Sequence, residues 1–342
     1  MQRCLDLALL GAGNVAPNPM VGAVLVYQHR IIGEGYHQQY GFPHAEVNCV
    51  DSVLPADEEL ISKSTLYVSL EPCVHFGITP PCTDLIIKKN IPEVVIGCGD
   101  TYEEVNGKGI EKLRTNGINV ITGVMEKEAL ELNRRFFTFH RYKRPFIILK
   151  WAQLSDGKIS AGNKERTFIS NEYSNRLVHK WRTEEAAIMV GTNTALLDDP
   201  ALTARLWPGN DPVRIVIDMQ LKLPNTLKLF DGKVKTIVFN QIKQEESGAI
   251  AYHKVETGAP VIPQILNILF QLRLQSVMVE GGAKLLQSFI DTGMWDEARV
   301  ISSRQVAVGS GQGVNAPVLK SHELIQTQEI ETDIINIYQH HP

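Results

Sequence analysis

"HAEVNCV" at 44–50 and "EPCVHFGITPPC" at 71–82 decide how the first half of the chain is read. The first places His44 two residues before Glu46, and the second holds Cys73 and Cys82 with eight residues between them. Zinc takes imidazole and thiolate ligands tetrahedrally, and a catalytic zinc keeps one position open for water. A common zinc knuckle spaces its cysteines by about two to four residues. The longer gap therefore reads either as a metal site with a stretched loop or as two unrelated buried thiols.

Taken singly, Cys73 and Cys82 fit small core residues, and His44 fits a surface cap. As a set, H-A-E followed by P-C-x8-C is hard to obtain by chance, and the metal reading prevails. His44, Cys73 and Cys82 would be three ligands, with Glu46 near enough to shuttle a proton without being a ligand. Water on such a zinc loses its proton near neutral pH, which makes hydroxide available to attack an amidine-like ring carbon. Glu46 would take that proton and deliver it to the ring and the departing ammonia. His44 and Cys82 each stand where a helix should begin, and a helix N-terminus favours a thiolate. Pro72, Pro80 and Pro81 stiffen the loop between. Cys4, Cys49 and Cys98 lack such company and read as core residues.

At 342 residues the chain is expected to form two domains. Its 44% hydrophobic and 21% charged residues describe an ordinary globular protein. The net charge of −4 and the lack of a Lys/Arg run argue against a nucleic-acid or membrane-surface partner. All five cysteines fall between residues 4 and 98, which argues against a disulfide framework and for a reducing cytoplasm. The start "MQRCLDLALLGAG" does not read as a targeting leader, and no later run approaches membrane-spanning length.

Helix and strand signals alternate along the first half. "QRCLDLALL", "HAEVNCVDSVL", "CTDLIIKKN" and "GIEKLRTNG" read as helices, and "EKEALELNRRFFTFHRY" as one long helix. "MVGAVLVYQ", "RIIGEGY", "STLYVSLEP", "EVVIGCG" and "NVITGV" read as strands, so a sheet covered on both faces is expected. The basic "HRYKRP" at 140–145 marks the boundary, giving domains 1–143 and 144–342. Beyond it, "PFIILKWAQ", "AAIMVG", "VRIVIDM", "KTIVFN" and "QSVMVEGG" read as strands. "SNEYSNRLVHKWRTEE", "VIPQILNILFQLRL" and "AKLLQSFID" read as helices.

Here a resemblance becomes specific. H-x-E with P-C-x-x-C is the signature of the zinc-dependent cytidine deaminase superfamily. The longer "EPCVHFGITPPC", with "NPMVGAVLV" at 18–26 and "GEGYHQQYGFPHAE" at 33–46, resembles its riboflavin-biosynthesis deaminase branch. The resemblance implies a cytidine-deaminase-like three-layer α/β/α domain with one Zn²⁺. It also implies that Asn18 and His37 contact the pyrimidine or ribose and that His75 faces the substrate phosphate. Ile78 departs from the Lys or Arg usual there, and "GDTYEEVNGKG" lacks the family's Asp-Pro segment. Asp100 and Lys108 remain as candidates for the phosphate pocket.

In the second half, "EGG" at 280–282 ends a strand before a helix and could meet an anion or be a plain tight turn. It is not the spaced G-x-G-x-x-G of a dinucleotide fold. "GSGQG" at 309–313 could line the same crevice or be a loop, and "DDP" could be no more than a turn. Lys150, within an apolar strand, either snorkels or has a chemical role. Together "LKWAQLSDGKIS", "GTNTALLDDPALTAR" and "MVEGGAKLLQSF" resemble the dihydrofolate-reductase-like α/β reductase domain of riboflavin biosynthesis. That resemblance implies hydride delivery from NADPH to C1′ of a ring-opened ribosylamino group. Lys150 and Asp198 would flank the reacting carbon. Arg182, Leu202, Arg205 and Glu280 would hold the substrate, the arginines as phosphate clamps. Gln153, Phe168, Thr194, Asp198 and Gly282 would contact NADPH. Phe168 stands where tryptophan is frequent, and Arg166 inherits no role.

The expectation is a bifunctional cytoplasmic enzyme and a homo-oligomer, deaminating a diaminopyrimidinone ribosylamino phosphate and reducing its ribosyl group to ribityl. One rival is a nucleotide or tRNA zinc deaminase with an unrelated second domain, disfavoured by the cysteine spacing and by "DDPALTAR". The other is a non-catalytic zinc-stabilised binding protein, which gives Glu46 no purpose.

Overall fold

The alternating run Gly22–Tyr27 (β1) turns back on Arg30–Tyr36 (β2) through Gln28 and His29. Both turn residues take positive φ, 44° and 68°, as the twist of a tight hairpin demands. The structure, a computed structural model, describes residues 1–76, 80–100, 106–160, 168–304 and 313–341. Ile78 and Arg166 lie outside the described residues, as does "GSGQG" except for Gly313. The chain divides into two compact units, Met1–Lys143 and Arg144–Pro342.

In the first unit, helix Gln2–Leu9 (α1) precedes the hairpin, and helix Ala45–Asp51 (α2) follows it. Strand Thr65–Leu70 (β3), helix Cys82–Lys88 (α3), strand Glu93–Cys98 (β4), helix Lys108–Thr115 (α4) and strand Asn119–Thr122 (β5) come next. Helices Glu126–Leu132 (α5) and Arg134–Tyr142 (α6) close the unit. The sheet order is β2-β1-β3-β4-β5, with β1 antiparallel to both neighbours and β3, β4 and β5 parallel. Because successive strand residues face opposite ways, Ala23 and Leu25 join Cys49, Ile86 and Leu113 from α2, α3 and α4. Val24 instead meets Cys4 and Leu7 of α1, while Leu70 meets Ala129 and Phe136 of α5 and α6. Helices thus cover both faces, the expected three layers.

One expectation fails. The long helix read over "EKEALELNRRFFTFHRY" is two helices, broken at Asn133. The buried Asn133 amide accepts from Met20 N–H at 2.8 Å and donates to Met20 C=O at 2.8 Å. Those two bonds hold Asn133 at φ −104°, ψ 21°, out of helical register.

The second unit runs through strand Phe146–Gln153 (β6), strand Lys158–Ser160 (β7), helix Glu172–Glu184 (α7), strand Ala187–Gly191 (β8) and helix Thr192–Asp198 (α8). Strands Val213–Ile217 (β9), Thr236–Asn240 (β10), Glu245–Ser247 (β11) and Ile250–Lys254 (β12) follow. Then come helix Val261–Gln271 (α9), strand Ser276–Val279 (β13) and helix Ala283–Thr292 (α10). Strands Glu297–Ser303 (β14), Val314–Asn315 (β15), His322–Ile330 (β16) and Asp333–His340 (β17) finish the unit. The main sheet has the order β11-β12-β10-β9-β8-β13-β6-β14-β17-β16. From β12 to β14 every pairing is parallel. Strand residues alternate again: Ile147, Leu149 and Val279 pack on α9 and α10, whereas Ile148, Val190 and Met278 pack on α7 and α8. Helix α8 and strands β14, β16 and β17 were not foreseen.

Candidate functional site

In the first unit, strand order brings the starts of α2 and α3 to one end of the sheet. His44 is the N-cap of α2, with extended backbone (φ −73°, ψ 168°) and no side-chain capping bond. Its ring turns instead to the sulfurs, with Nδ1 3.3 Å from Cys82 Sγ and 3.6 Å from Cys73 Sγ. Cys82 opens α3 behind Pro81, and its backbone N–H donates to Cys73 Sγ at 3.3 Å. Thr83 donates to Cys73 C=O twice, from N–H at 3.2 Å and from Oγ1 at 3.1 Å. The three ligand atoms lie within 4.8 Å of one another, the one such cluster among the described residues.

These separations suit zinc. Tetrahedral bonds of ~2.0 Å to nitrogen and ~2.3 Å to sulfur place N and S about 3.5 Å apart. The protonation pattern suits it too. Hydrogen bonds from Cys82 and His44 pull the Cys73 thiol well below its ordinary range against the cost of burial. Cys82 goes the other way, raised by its bond to the Cys73 sulfur, by burial and by Glu46. Two thiols this close to one another and to His44 suit ligation of a cation, which binds both as thiolates. His44 is raised chiefly by its bond to Cys73. Glu46, 3% exposed in the first turn of α2, is raised by burial and then by the Cys73 charge. A carboxyl that holds its proton more tightly than usual suits a proton carrier.

Asn18 and His37 meet beside this cluster. His37 Nδ1 lies 3.1 Å from Pro43 C=O, so Nδ1–H donates there and Nε2 accepts from Asn18 Nδ2 at 3.1 Å. Burial lowers the His37 pKa, and its ring packs edge-on to His44 with centroids 5.3 Å apart. Both His37 nitrogens therefore have partners inside the protein. His75 stands half-buried two residues beyond Cys73, and Asp100 is buried at the end of β4, while Lys108 opens α4 with an exposed side chain.

In the second unit the site residues gather at the carboxyl ends of the central parallel strands, where open α/β sheets form their ligand crevice. Leu149 pairs with Val279, so Lys150 and Glu280 stand side by side on adjacent strands. Glu280 is gripped by Arg182 of α7, whose Nε donates to Oε1 at 2.8 Å and Nη2 to Oε2 at 2.7 Å. Arg182 Nη1 also donates to Thr203 C=O at 2.9 Å. Burial works to raise the Glu280 carboxyl, but Arg182 and Lys150 outweigh it and bring it down to about 2. The guanidinium expected to clamp a phosphate is thus tied to a carboxylate and to the Leu202–Arg205 segment. Leu202 is buried with φ 50°, a strained value for leucine, and Arg205 is exposed.

Thr194 of α8 packs on the turn before α10: a Cβ on Gly281 would lie 2.7 Å from Thr194 Cγ2, and Gly282 takes φ 79°. Two residues expected at the cofactor are therefore in contact. Asp198 ends α8, half-buried. Its neighbour Asp199 is a structural anchor, accepting from Lys228 N–H at 2.8 Å and pairing with Lys228 Nζ at 3.1 Å. Gln153 Oε1 accepts from Trp151 Nε1 at 2.8 Å. Phe168 is 82% exposed. Sequence reasoning missed His179, buried one turn before Arg182 and brought down to about 4 by burial and by Arg182 and Arg205. A histidine on the inner side of an amphipathic helix was its only signal.

Residues 1–98 match the cytidine and deoxycytidylate deaminase zinc-binding region, and residues 145–335 match the RibD C-terminal domain. The riboflavin biosynthesis protein RibD of Aquifex aeolicus is 40% identical over 332 residues, covering 94% of this chain and 91% of that one. RibD of Escherichia coli is 33% identical, covering 92% and 89%. The crystal structure of a diaminohydroxyphosphoribosylaminopyrimidine deaminase/5-amino-6-(5-phosphoribosylamino)uracil reductase from Thermotoga maritima superposes with a TM-score of 0.90 at 35% identity, over 99% of this chain and 97% of that one. A RibD structure from Acinetobacter baumannii gives 0.89 at 29% identity over the same shares. With a deaminase-type metal cluster in one unit, a reductase fold in the other and relatives that align along nearly the whole length, the chain belongs to the RibD family of bifunctional riboflavin-biosynthesis deaminase/reductases.

Proposed function

We propose that residues 1–143 hydrolytically deaminate 2,5-diamino-6-ribosylamino-4(3H)-pyrimidinone 5′-phosphate. In the same proposal, residues 144–342 reduce the ribosyl group of the product to ribityl with NADPH. The observation that carries the first half is a buried carboxyl, Glu46, with raised proton affinity beside a three-ligand His/Cys cluster. His44, Cys73 and Cys82 would hold Zn²⁺. When bound, the ion supplies the Lewis acidity that makes water a nucleophile near neutral pH. Glu46 carries the two protons of the attacking water in turn, the first to the ring nitrogen and the second, from the new hydroxyl as it becomes the carbonyl, to the amine that leaves as ammonia. Asn18, oriented by His37, holds the pyrimidine edge. His75, Asp100 and Lys108 are the residues proposed to meet the phosphate.

In the second unit, bound NADPH supplies the hydride that reduces C1′. Lys150 polarises the reacting group, and Asp198 at the end of α8 relays the proton. Arg182 and Glu280 neutralise each other and hold Leu202 and Thr203 in place. Arg205 is then the arginine proposed to meet the substrate phosphate. Thr194 and the Gly282 turn line the cofactor side with Gln153; Phe168 joins them only once its ring is covered.

A homo-oligomer is supported by β16, a nine-residue edge strand with Leu324 and Ile325 about half exposed. Such an edge invites pairing with a second copy. Light scattering on the purified chain tests it. No helix among the described residues is long and apolar enough to cross a membrane, and a cytoplasmic location is proposed. The function is tested by stripping the metal with a chelator. Ammonia release should stop and return with zinc, while NADPH oxidation on already deaminated substrate continues throughout.

A further inference from the structure

Glu71 has no part in the chemistry above, yet it is buried, charged and two residues from a metal ligand. Its N–H donates to Cys98 C=O at 3.0 Å, extending the β3–β4 ladder by one residue. Its carboxylate accepts four backbone N–H groups. Oε2 takes Asp100 at 3.2 Å and Gly107 at 3.0 Å, and Oε1 takes Gly109 at 2.9 Å and Ile110 at 3.2 Å. Three of these donors belong to the first turn of α4, where N–H groups lack helical partners and negative charge is favoured.

The packing of Gly109 points to the same contact. A Cβ on Gly109 would lie 2.3 Å from Pro72 C=O, so the first turn of α4 rests on the residue that leads into Cys73. From its other side Cys73 is held by α3, through Thr83 and the Cys82 N–H. The cysteine is thus gripped between the starts of two helices. Only one grip uses a charged side chain.

We propose that Glu71 is the positioning residue of the metal loop, drawing the first turn of α4 onto Pro72 and so setting where Cys73 presents its sulfur. Glu71 touches neither metal nor substrate; it acts through backbone. The inference rests on the zinc reading of His44, Cys73 and Cys82.

Two substitutions reach the contact by different routes. Glu71→Gln turns one acceptor oxygen into a donor facing two N–H groups. Gly109→Ala keeps the carboxylate's charge but pushes a methyl into Pro72 C=O and to 3.0 Å from Glu71 Oε1. Zinc affinity is measured on the full chain against a chromophoric chelator, and the absorption spectrum is recorded with Co²⁺ in place of zinc. Both variants should hold zinc about tenfold more weakly, as supporting partners of metal ligands commonly do, with shifted cobalt bands. Glu111→Gln, on the exposed side of α4, should match the unaltered chain. Unchanged affinity and spectrum in both variants overturn the proposal, including when their melting temperature falls, because Glu71 then serves only the fold. If Glu71→Gln does not fold, Gly109→Ala alone decides. An unaltered chain that binds no zinc refutes the metal reading instead, which keeps the two failures apart.

Discussion

The Arg182–Glu280 pair offers a sharp quantitative test, because its two partners are held together whether or not a ligand is bound. Both side chains are nearly buried, at 11% and 7% exposure, and two parallel hydrogen bonds join them. Holding the Glu280 carboxyl at about 2 instead of 4.5 corresponds to stabilisation of about 3 kcal/mol, at 1.36 kcal/mol per pKa unit. Breaking a buried pair from one side costs a similar ~3–5 kcal/mol, since the remaining charge is stranded. Glu280→Gln should therefore lower the melting temperature of the second unit by about 6–12 °C at pH 7. The sign with pH follows from the lowered carboxyl. Its contribution is complete above the unfolded value of 4.5 and lost as pH falls through about 2. The gap between the two proteins should thus shrink to about half by pH 3. Calorimetry at both pH values reads this directly. A second reading comes from Arg182→Met combined with Glu280→Met, which should cost less than the two single changes added together. A loss below about 1 kcal/mol, or one that does not change with pH, refutes the assignment.

Three further outcomes follow from the proposed roles. Glu46→Gln should retain zinc by metal analysis yet lose ammonia release by about 10²–10⁴-fold, with reduction of deaminated substrate intact; loss of the metal would refute the role. Lys150→Ala should abolish NADPH oxidation and leave ammonia release untouched, and equal loss of both would indicate misfolding. The adjacent aspartates should separate: Asp198→Asn slows reduction, whereas Asp199→Asn costs stability of about 1 kcal/mol or less through its exposed pairing with Lys228 and leaves the rate of reduction unchanged.

The elements that could be read from the sequence are those whose pattern is local. Ala23, Val24 and Leu25 alternate between two clusters, and "VIPQILNILFQLRL" carries Ile262, Ile265, Leu266 and Leu269 on one face. The break at Asn133 was hidden because its partner, Met20, lies 113 residues away. Strand β16 was hidden because "HELIQTQEI" is exposed along nearly its whole length, so no apolar alternation marks it. At the metal cluster the residue types and spacing named the three ligands and Glu46. They did not show how Cys73 is held, by the Cys82 N–H on its sulfur and by Thr83 on its carbonyl. Nor could they show that Arg182 is already engaged, since Glu280 is 98 residues further on. Nor did they give the partners of the His37 ring nitrogens, Pro43 C=O and the Asn18 amide. Residue chemistry is legible from spacing, whereas the pairing of charges is set by the sheet.

The central claim is that one chain carries out a deamination and a reduction on the same phosphorylated pyrimidine. It is tested most directly by giving the zinc-loaded protein the diaminopyrimidinone ribosylamino phosphate, with and without NADPH, and following ammonia and cofactor together. Ammonia should appear in both cases, and with NADPH present equal amounts of cofactor should be oxidised as the ribityl product forms. Cofactor oxidation without ammonia, or ammonia with no oxidation of added NADPH, would contradict it.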